Sequence, residues 1–313
     1  QHFNGIRPSV GLQTFESMAA PWSGNESAAS STARADVPTA GSKEGTITLK
    51  FPPGFLWGAA TAAYQIEGAA SEGGRTPSIW DTFSAAPGKV LNGDTGAVAC
   101  DHYHRWREDV ALMKSLGLPA YRFSISWSRL LPEGRGDANP EAVRFYNDLI
   151  DELCKSGIKP VVTLYHWDLP QCLQDEYCGW LGRQVIDDFV HFSSTCFSAF
   201  GDRVSMWITL NEPWCAAVQG FASGEHAPGR QWSPDHEPYR AAHHMLLAHA
   251  RAVELYRSEF GGGQIGIARS PNGPRNRNQS GQHVKPKFSM LGWADKGCCL
   301  VSRPFFRTGL SRR

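Results

Sequence analysis

No stretch of the 313 residues approaches the roughly 20 consecutive apolar positions that a membrane-crossing helix requires. The first 43 residues also lack the apolar core, roughly 7 to 15 residues long, of a secretory signal. Their few arginines are mixed with Glu16, Glu26 and Asp36, unlike a transit peptide. Because residue 1 is Gln rather than Met, the question of an upstream targeting segment stays open. Charge of neither sign is in excess: 31 Lys and Arg face 30 Asp and Glu, so no global field draws the chain to nucleic acid or an acidic membrane. The cysteines Cys100, Cys154, Cys172, Cys178, Cys196, Cys215, Cys298 and Cys299 lack zinc-site spacing, and several fall inside helical or strand patterns as small buried hydrophobes do. His102 and His104, and the set His243, His244 and His249, lack a carboxylate or thiol to complete a ligand set, so no metal site is predicted.

The near-neutral total hides two pieces. Residues 1–268 carry 21 Lys and Arg against 29 Asp and Glu, a net of −8, whereas residues 269–313 carry 10 against Asp295 alone, a net of +9. The start of the chain is rich in Ser, Ala, Gly and Pro, which predicts a disordered leader over 1–47. From Arg269-Ser270-Pro271-Asn272-Gly273-Pro274 onward neither helical nor strand periodicity survives. The expected organisation is a leader over 1–47, a folded unit over 48–268 and a basic tail over 269–313. Such a tail can bind nucleic acid or membrane. The plainer account is a departure of reading frame or splice boundary, with Cys298-Cys299 and the arginine-containing close as its product.

What the middle of the chain does have is a repeated grammar. Thr209-Leu210-Asn211-Glu212-Pro213 ends the apolar run Val204-Ser205-Met206-Trp207-Ile208, which reads as a buried strand that Pro213 stops. Glu212 therefore stands at the carboxyl end of a strand, where a parallel α/β sheet places its chemistry. The bland alternative is that Asn211 caps the following helix and Glu212 favours its positive end. The same pattern recurs. Strand-like residues 55–60 lead to Gln65 and Glu67, residues 120–127 carry Arg122, and residues 160–165 deliver His166, Trp167 and Asp168. Amphipathic helical patterns over 103–116, 140–156, 183–200 and 239–260 lie between them. They run into Gly117, Gly157, Gly201 and Gly261, the residue type that takes a left-handed position after a helix without strain. A fifth strand is predicted at 264–268. Alternating strands and helices predict a parallel sheet with right-handed crossovers.

These residues carry a family resemblance. Phe51-Pro52-Pro53-Gly54-Phe55-Leu56-Trp57-Gly58-Ala59-Ala60-Thr61-Ala62-Ala63-Tyr64-Gln65-Ile66-Glu67-Gly68 closely resembles the N-terminal signature of glycoside hydrolase family 1, the β-glucosidases and their relatives. Tyr121-Arg122-Phe123-Ser124-Ile125-Ser126-Trp127-Ser128-Arg129, Leu164-Tyr165-His166-Trp167-Asp168-Leu169-Pro170 and Thr209 to Pro213 are similar to three further motifs of that family, in its order. A weaker likeness returns at Phe288-Ser289-Met290-Leu291-Gly292-Trp293-Ala294-Asp295. The resemblance implies an α/β fold, a (β/α)8 TIM barrel, of which about the first five βα units are present. It also implies a retaining β-glycosidase that hydrolyses O-glycosidic bonds without metal or cofactor. Such chemistry needs two carboxyls about 5 to 5.5 Å apart, one moving a proton and one forming the glycosyl ester. Glu212 matches the acid/base. Gln65, His166 and Asn211 match residues that hydrogen-bond the sugar, Trp167 offers an apolar wall, and Arg122 matches the arginine that orients the nucleophile.

The family's nucleophile, a glutamate in an Ile/Val-Thr-Glu-Asn-Gly motif, does not occur in these residues. Five strands cannot close a barrel. The alternative function is therefore a non-catalytic carbohydrate- or protein-binding member of the same family. The expected partner is a β-glycoside, with neither nucleic acid nor membrane. Ala227-Pro228-Gly229-Arg230-Gln231 has no cysteine where secretory plant members resemble one another in a disulfide-closed loop, which leans the location toward the cytoplasm. Asn25-Glu26-Ser27 and Asn278-Gln279-Ser280 fit glycosylation acceptors, a pattern common by chance.

Overall fold

The computed structural model describes residue 51 and residues 53–269. The expected leader and almost all of the basic tail lie outside the described residues, as do both Asn-X-Ser triplets and Cys298-Cys299. The chain divides into Gln1–Pro53 and Gly54–Arg313, and the architecture that follows belongs to the second.

Five strands alternate with helices along the chain. They are β1 (Ala59–Ala60), β2 (Ala120–Ser124), β3 (Lys159–Tyr165), β4 (Met206–Asn211) and β5 (Gln264–Ala268). The helices are α1 (Ala63–Ile66), α2 (Ile79–Ala85), α3 (His102–Ser115), α4 (Trp127–Leu130), α5 (Pro140–Lys155), α6 (Gln171–Tyr177), α7 (Val185–Phe200), α8 (Pro213–Phe221) and α9 (Glu237–Leu255). All strand pairs are parallel, in the spatial order β1-β2-β3-β4-β5. Each strand thus lies beside its predecessor in sequence, the simplest outcome of repeated βα units.

The period of two along the strands separates two faces. Tyr121, Phe123, Val162, Leu164 and Trp207 join the helix-covered core with Val110, Leu149, Phe189 and Met245. The residues between them point the other way, where Val161, Met206, Ile208 and Ala268 form a separate cluster with Leu56 packed against it. The helix layer is tightly keyed to the sheet. Trp127, fully buried, stacks on Phe192 of α7 at 4.7 Å and 6° and donates its indole N–H to the Gly134 carbonyl at 2.9 Å.

The long helices arise where the pattern places them, and two stop as the glycines predict. After α3, Gly117 at φ 65° donates to Lys114 while Leu118 donates to Met113. After α5, Gly157 at φ 72° donates to Cys154 while Ile158 donates to Leu153. Both are six-to-one closures around a left-handed residue. Gly201 departs from this expectation, because α7 runs into it in right-handed conformation at φ −66°. Gly261 has positive φ but extended ψ, after the last residues of the 239–260 pattern widen into a π turn over Tyr256–Phe260. The first strand is also shorter than the 55–60 run suggested, and the strand at 120–127 ends at Ser124. Beyond the ladder-like bonds from Thr61 to Arg122 and from Ile125 to Thr163, side chains on β2 and α5 claim backbone groups instead. Ser124 Oγ accepts the Ala63 N–H, and the Tyr146 hydroxyl accepts that of Ser126. The short helices α1, α2, α4 and α6 were not anticipated, since four to seven residues carry too little periodicity to register.

No disulfide joins the six cysteines among the described residues, and Cys196 and Cys215 are buried as expected of small hydrophobes. His104 does gather two carboxylates that the sequence did not show: Asp101 at 2.5 Å from Nδ1 and Glu72 at 3.0 Å from Nε2. Each ring nitrogen is taken by one carboxylate, so the hydrogen bonds favour the imidazolium and raise its pKa.

Candidate active site

Strands β2, β3 and β4 bring three polar side chains together. Arg122 lies between Tyr121 and Phe123 on β2, so the pleat turns it away from the helix core to the same face as Thr163. Its guanidinium donates from Nε to Thr163 Oγ1 and from Nη2 to Asn211 Oδ1, both at 2.7 Å. All three side chains are buried, Thr163 completely. Burial pushes the Arg122 guanidinium down to about 10, against the opposing influence of the Glu212 charge. With its oxygen committed to Arg122, the Asn211 amide directs its NH2 donors elsewhere, which is the group a sugar hydroxyl can use.

A bulge is what brings Asn211 to this face. Met206 and Ile208 follow the alternation, but the register of β4 against β5 shifts between Ile208 and Asn211. Thr209 faces the helices as the alternation requires, its hydroxyl paired with His249 Nδ1 at 2.7 Å, but Leu210 also joins the helix core. One extra residue re-aims the next side chain, so Asn211 meets Arg122. The capping role for Asn211 is thereby excluded: it belongs to the strand, and the residue at the start of α8 is Glu212, whose side chain makes no cap.

Glu212 and Trp167 hold left-handed backbone conformations, φ 46° and 76°, uncommon for non-glycine residues. Each is fixed by its surroundings. Glu212 donates its backbone N–H to the Ala268 carbonyl at 2.8 Å, tying it to β5, and Trp167 donates its indole N–H to the Asn211 carbonyl at 2.9 Å. Local strain held by such contacts is characteristic of functional positions. His166 precedes Trp167. Burial, reinforced by the Arg122 charge, holds its imidazole well below the usual range, so it is neutral, and its Nδ1 is buried without a partner among the described residues. Gln65 stands at the end of the first strand on the four-residue α1 and is exposed. Arg122, Asn211, Trp167 and Glu212 are thus linked by bonds or charge, and His166 feels the Arg122 charge. Gln65 makes no side-chain hydrogen bond to them.

Three residues join the site that the sequence did not single out. Thr163 bridges Arg122 to β3, and as a β-branched residue within a strand pattern it gave no polar signal. Trp80 from α2 and His226 from the loop after α8 pack on Trp167, with centroid distances of 6.5 and 5.0 Å. A seven-residue helix and a loop carry too little periodicity to mark either ring. Asp168 is fully buried with no side-chain hydrogen-bond partner among the described residues, and burial, followed by the Glu67 charge, pushes it up to about 8 against backbone hydrogen bonds at Asp168 and His166.

Comparison with known proteins bears on the same residues. The model of glycosyl hydrolase family 1 matches residues 47–293. Beta-glucosidase 25 of Oryza sativa is 52% identical over 231 residues, covering 70% of this chain and 46% of that protein. Beta-glucosidase A of Thermotoga maritima is 55% identical over 218 residues, again 70% of this chain and 48% of the relative. Among solved structures, a rice β-glucosidase superposes with a TM-score of 0.68 at 51% identity. The Thermotoga maritima enzyme in complex with deoxynojirimycin does so with 0.68 at 54%, over 70% of this chain and 50% of that one. The chain spans about half the length of the curated relatives it matches. Its five-stranded sheet is the corresponding part of a (β/α)8 barrel. The chain belongs to glycosyl hydrolase family 1.

Proposed function

We propose that these residues form the acid/base half of a retaining β-glycosidase site and that the nucleophilic glutamate lies outside the 313 residues. The observation that carries the reading is the position of Glu212: a strained strand-end carboxylate, tied through its backbone to β5 and coupled electrostatically to Arg122. In this reading Glu212 protonates the oxygen of the departing group and later takes a proton from water. Arg122, held by Thr163 and Asn211, presents positive charge to the incoming nucleophile and keeps it ionised. Asn211 offers its amide donors, neutral His166 and Gln65 offer hydrogen bonds, and Trp167 offers an apolar wall to one β-glucoside ring. Neither a metal nor a cofactor takes part. The folded unit over 48–268 supplies these groups, with 1–47 and 269–313 as appendages.

The test is the Glu212→Gln variant of the full-length protein. Hydrolysis of glucosides with poor leaving groups is expected to fall by about 100-fold or more, and that of an activated aryl glucoside by much less, because the latter departs without protonation. Equal losses on both would reject the assignment. The lack of a nucleophile motif favours a second reading, a non-catalytic sugar-binding member. Undiminished glucose-analogue binding with no turnover in the full-length protein would select it.

A further inference from the structure

The carboxylate nearest in sequence to Gln65 is occupied elsewhere, and what occupies it points to a role. Glu67 is buried, and its two oxygens receive Arg129 Nε at 3.0 Å and the Tyr146 hydroxyl at 2.5 Å. Arg129, fully buried, spends its remaining donors on the backbone of the loop that follows: Nη1 on the Glu72 carbonyl, Nη2 on those of Gly68 and Ala69. The guanidinium also lies 4.3 Å from the centre of the Tyr103 ring. The backbone of Glu67 is gripped as well, its carbonyl accepting from Tyr103 and its N–H donating to Ala63. At the other end of α1, the Ala63 N–H is held by Ser124 Oγ at 2.7 Å, two residues beyond Arg122 on β2. Gly68 completes the fit: at φ 65° it lies so close to the neighbouring chain that a Cβ would come within 2.1 Å of the Val98 carbonyl oxygen.

Four residues of helix thus carry Gln65 between two buried anchors. A buried ion pair is a poor way to gain stability, because desolvation cancels much of the attraction; it does fix geometry. Gln65 itself is exposed, so its placement depends on the backbone beneath it, and displacement by about 1 Å is enough to spoil a contact that counts in catalysis.

We propose that Arg129, acting through Glu67, is a positioning residue that sets where Gln65 meets the sugar. This rests on the sugar-contact reading of Gln65 above. Tyr146 shares the role, since its hydroxyl holds the second oxygen of Glu67.

The test is a double-variant cycle in the full-length protein, measuring kcat and KM on an aryl β-glucoside. Glu67→Gln is expected to lower kcat/KM by about 10-fold and Tyr146→Phe by about 3-fold, chiefly through KM. In a Gln65→Ala background each should change kcat/KM by less than about twofold, because the group being positioned is gone. Thermal melting reports the structural cost separately. Tyr146→Phe leaves the ion pair intact, so the cycle stands on it if Glu67→Gln does not fold. Equal factors in both backgrounds would show that the pair supports the fold without acting through Gln65, and would overturn the inference alone. A Gln65→Ala variant with undiminished kcat/KM would instead overturn the sugar-contact reading, and this inference with it.

Discussion

At the scale of the residue, environment assigns different tasks to similar groups. Glu67, Asp168 and Glu212 are carboxylic acids near strand ends, yet one is locked in an ion pair, one is buried with no side-chain partner among the described residues and one is half-buried beside Arg122. Asp168 carries a consequence for stability. Its folded pKa of about 8 lies above the ordinary value of an unfolded aspartate, so the folded form holds a proton that the unfolded form releases from about pH 4 upward. Its contribution is fully present below that point and is lost as pH rises through about 8. Asp168→Asn removes this dependence. Denaturant titrations at pH 4 and pH 8 should show the variant gaining on the unaltered protein by the order of a few kcal/mol across that window. Parallel stabilities would show that Asp168 finds hydrogen bonds and ionises normally. His166 behaves in the opposite sense: already neutral, it should leave no titration between pH 5 and 8, readable from its imidazole resonances.

At the scale of the element, the strands that carry chemistry were the legible part. Arg122, His166 and Glu212 stood out because a polar residue interrupting or ending an apolar run is conspicuous. The bulge in β4 was not legible, since period two alone turns Leu210 rather than Asn211 toward Arg122. Only the pairing with β5 decides that, and pairing is a property of two segments. The loops behave likewise. Asn139 illustrates how much rests on one of them: it caps α5 by accepting from Glu141 and donates to the carbonyls of Gly73 and Arg129. Asn139→Ala removes the cap and leaves two part-buried carbonyls wanting, for an expected loss of about 1 to 2 kcal/mol in equilibrium unfolding. A loss under about 0.5 kcal/mol would mean that water replaces all three bonds.

At the scale of the whole molecule, β1 and β5 each pair with one neighbour among the described residues, while the relatives are about twice as long. A barrel site depends on closure, which excludes water and fixes both carboxyls relative to the sugar. The 313-residue chain by itself is therefore expected to show no β-glucosidase turnover above background and to be poorly soluble through its strand edges and uncovered faces. Supplying the remaining strands, with a glutamate in the nucleophile position, should restore hydrolysis of aryl β-glucosides without added metal. Turnover by the short chain, abolished by Glu212→Ala, would mean that another carboxylate serves as nucleophile. Glu67 is a poor candidate for it, both of its oxygens being engaged by Arg129 and Tyr146.

The central claim is that Glu212 moves the proton and a glutamate outside these residues forms the ester. Its most direct test is the stereochemistry of azide capture by the Glu212→Ala variant of the full-length protein, with an activated aryl β-glucoside as donor. Departure of the aryl group leaves the sugar esterified to the nucleophile, and azide, which needs no general base, displaces that ester from the opposite face. The product expected is β-glucosyl azide, identified by its anomeric proton coupling. α-Glucosyl azide would contradict the account, because it arises when azide attacks the donor directly and Glu212 was the nucleophile removed.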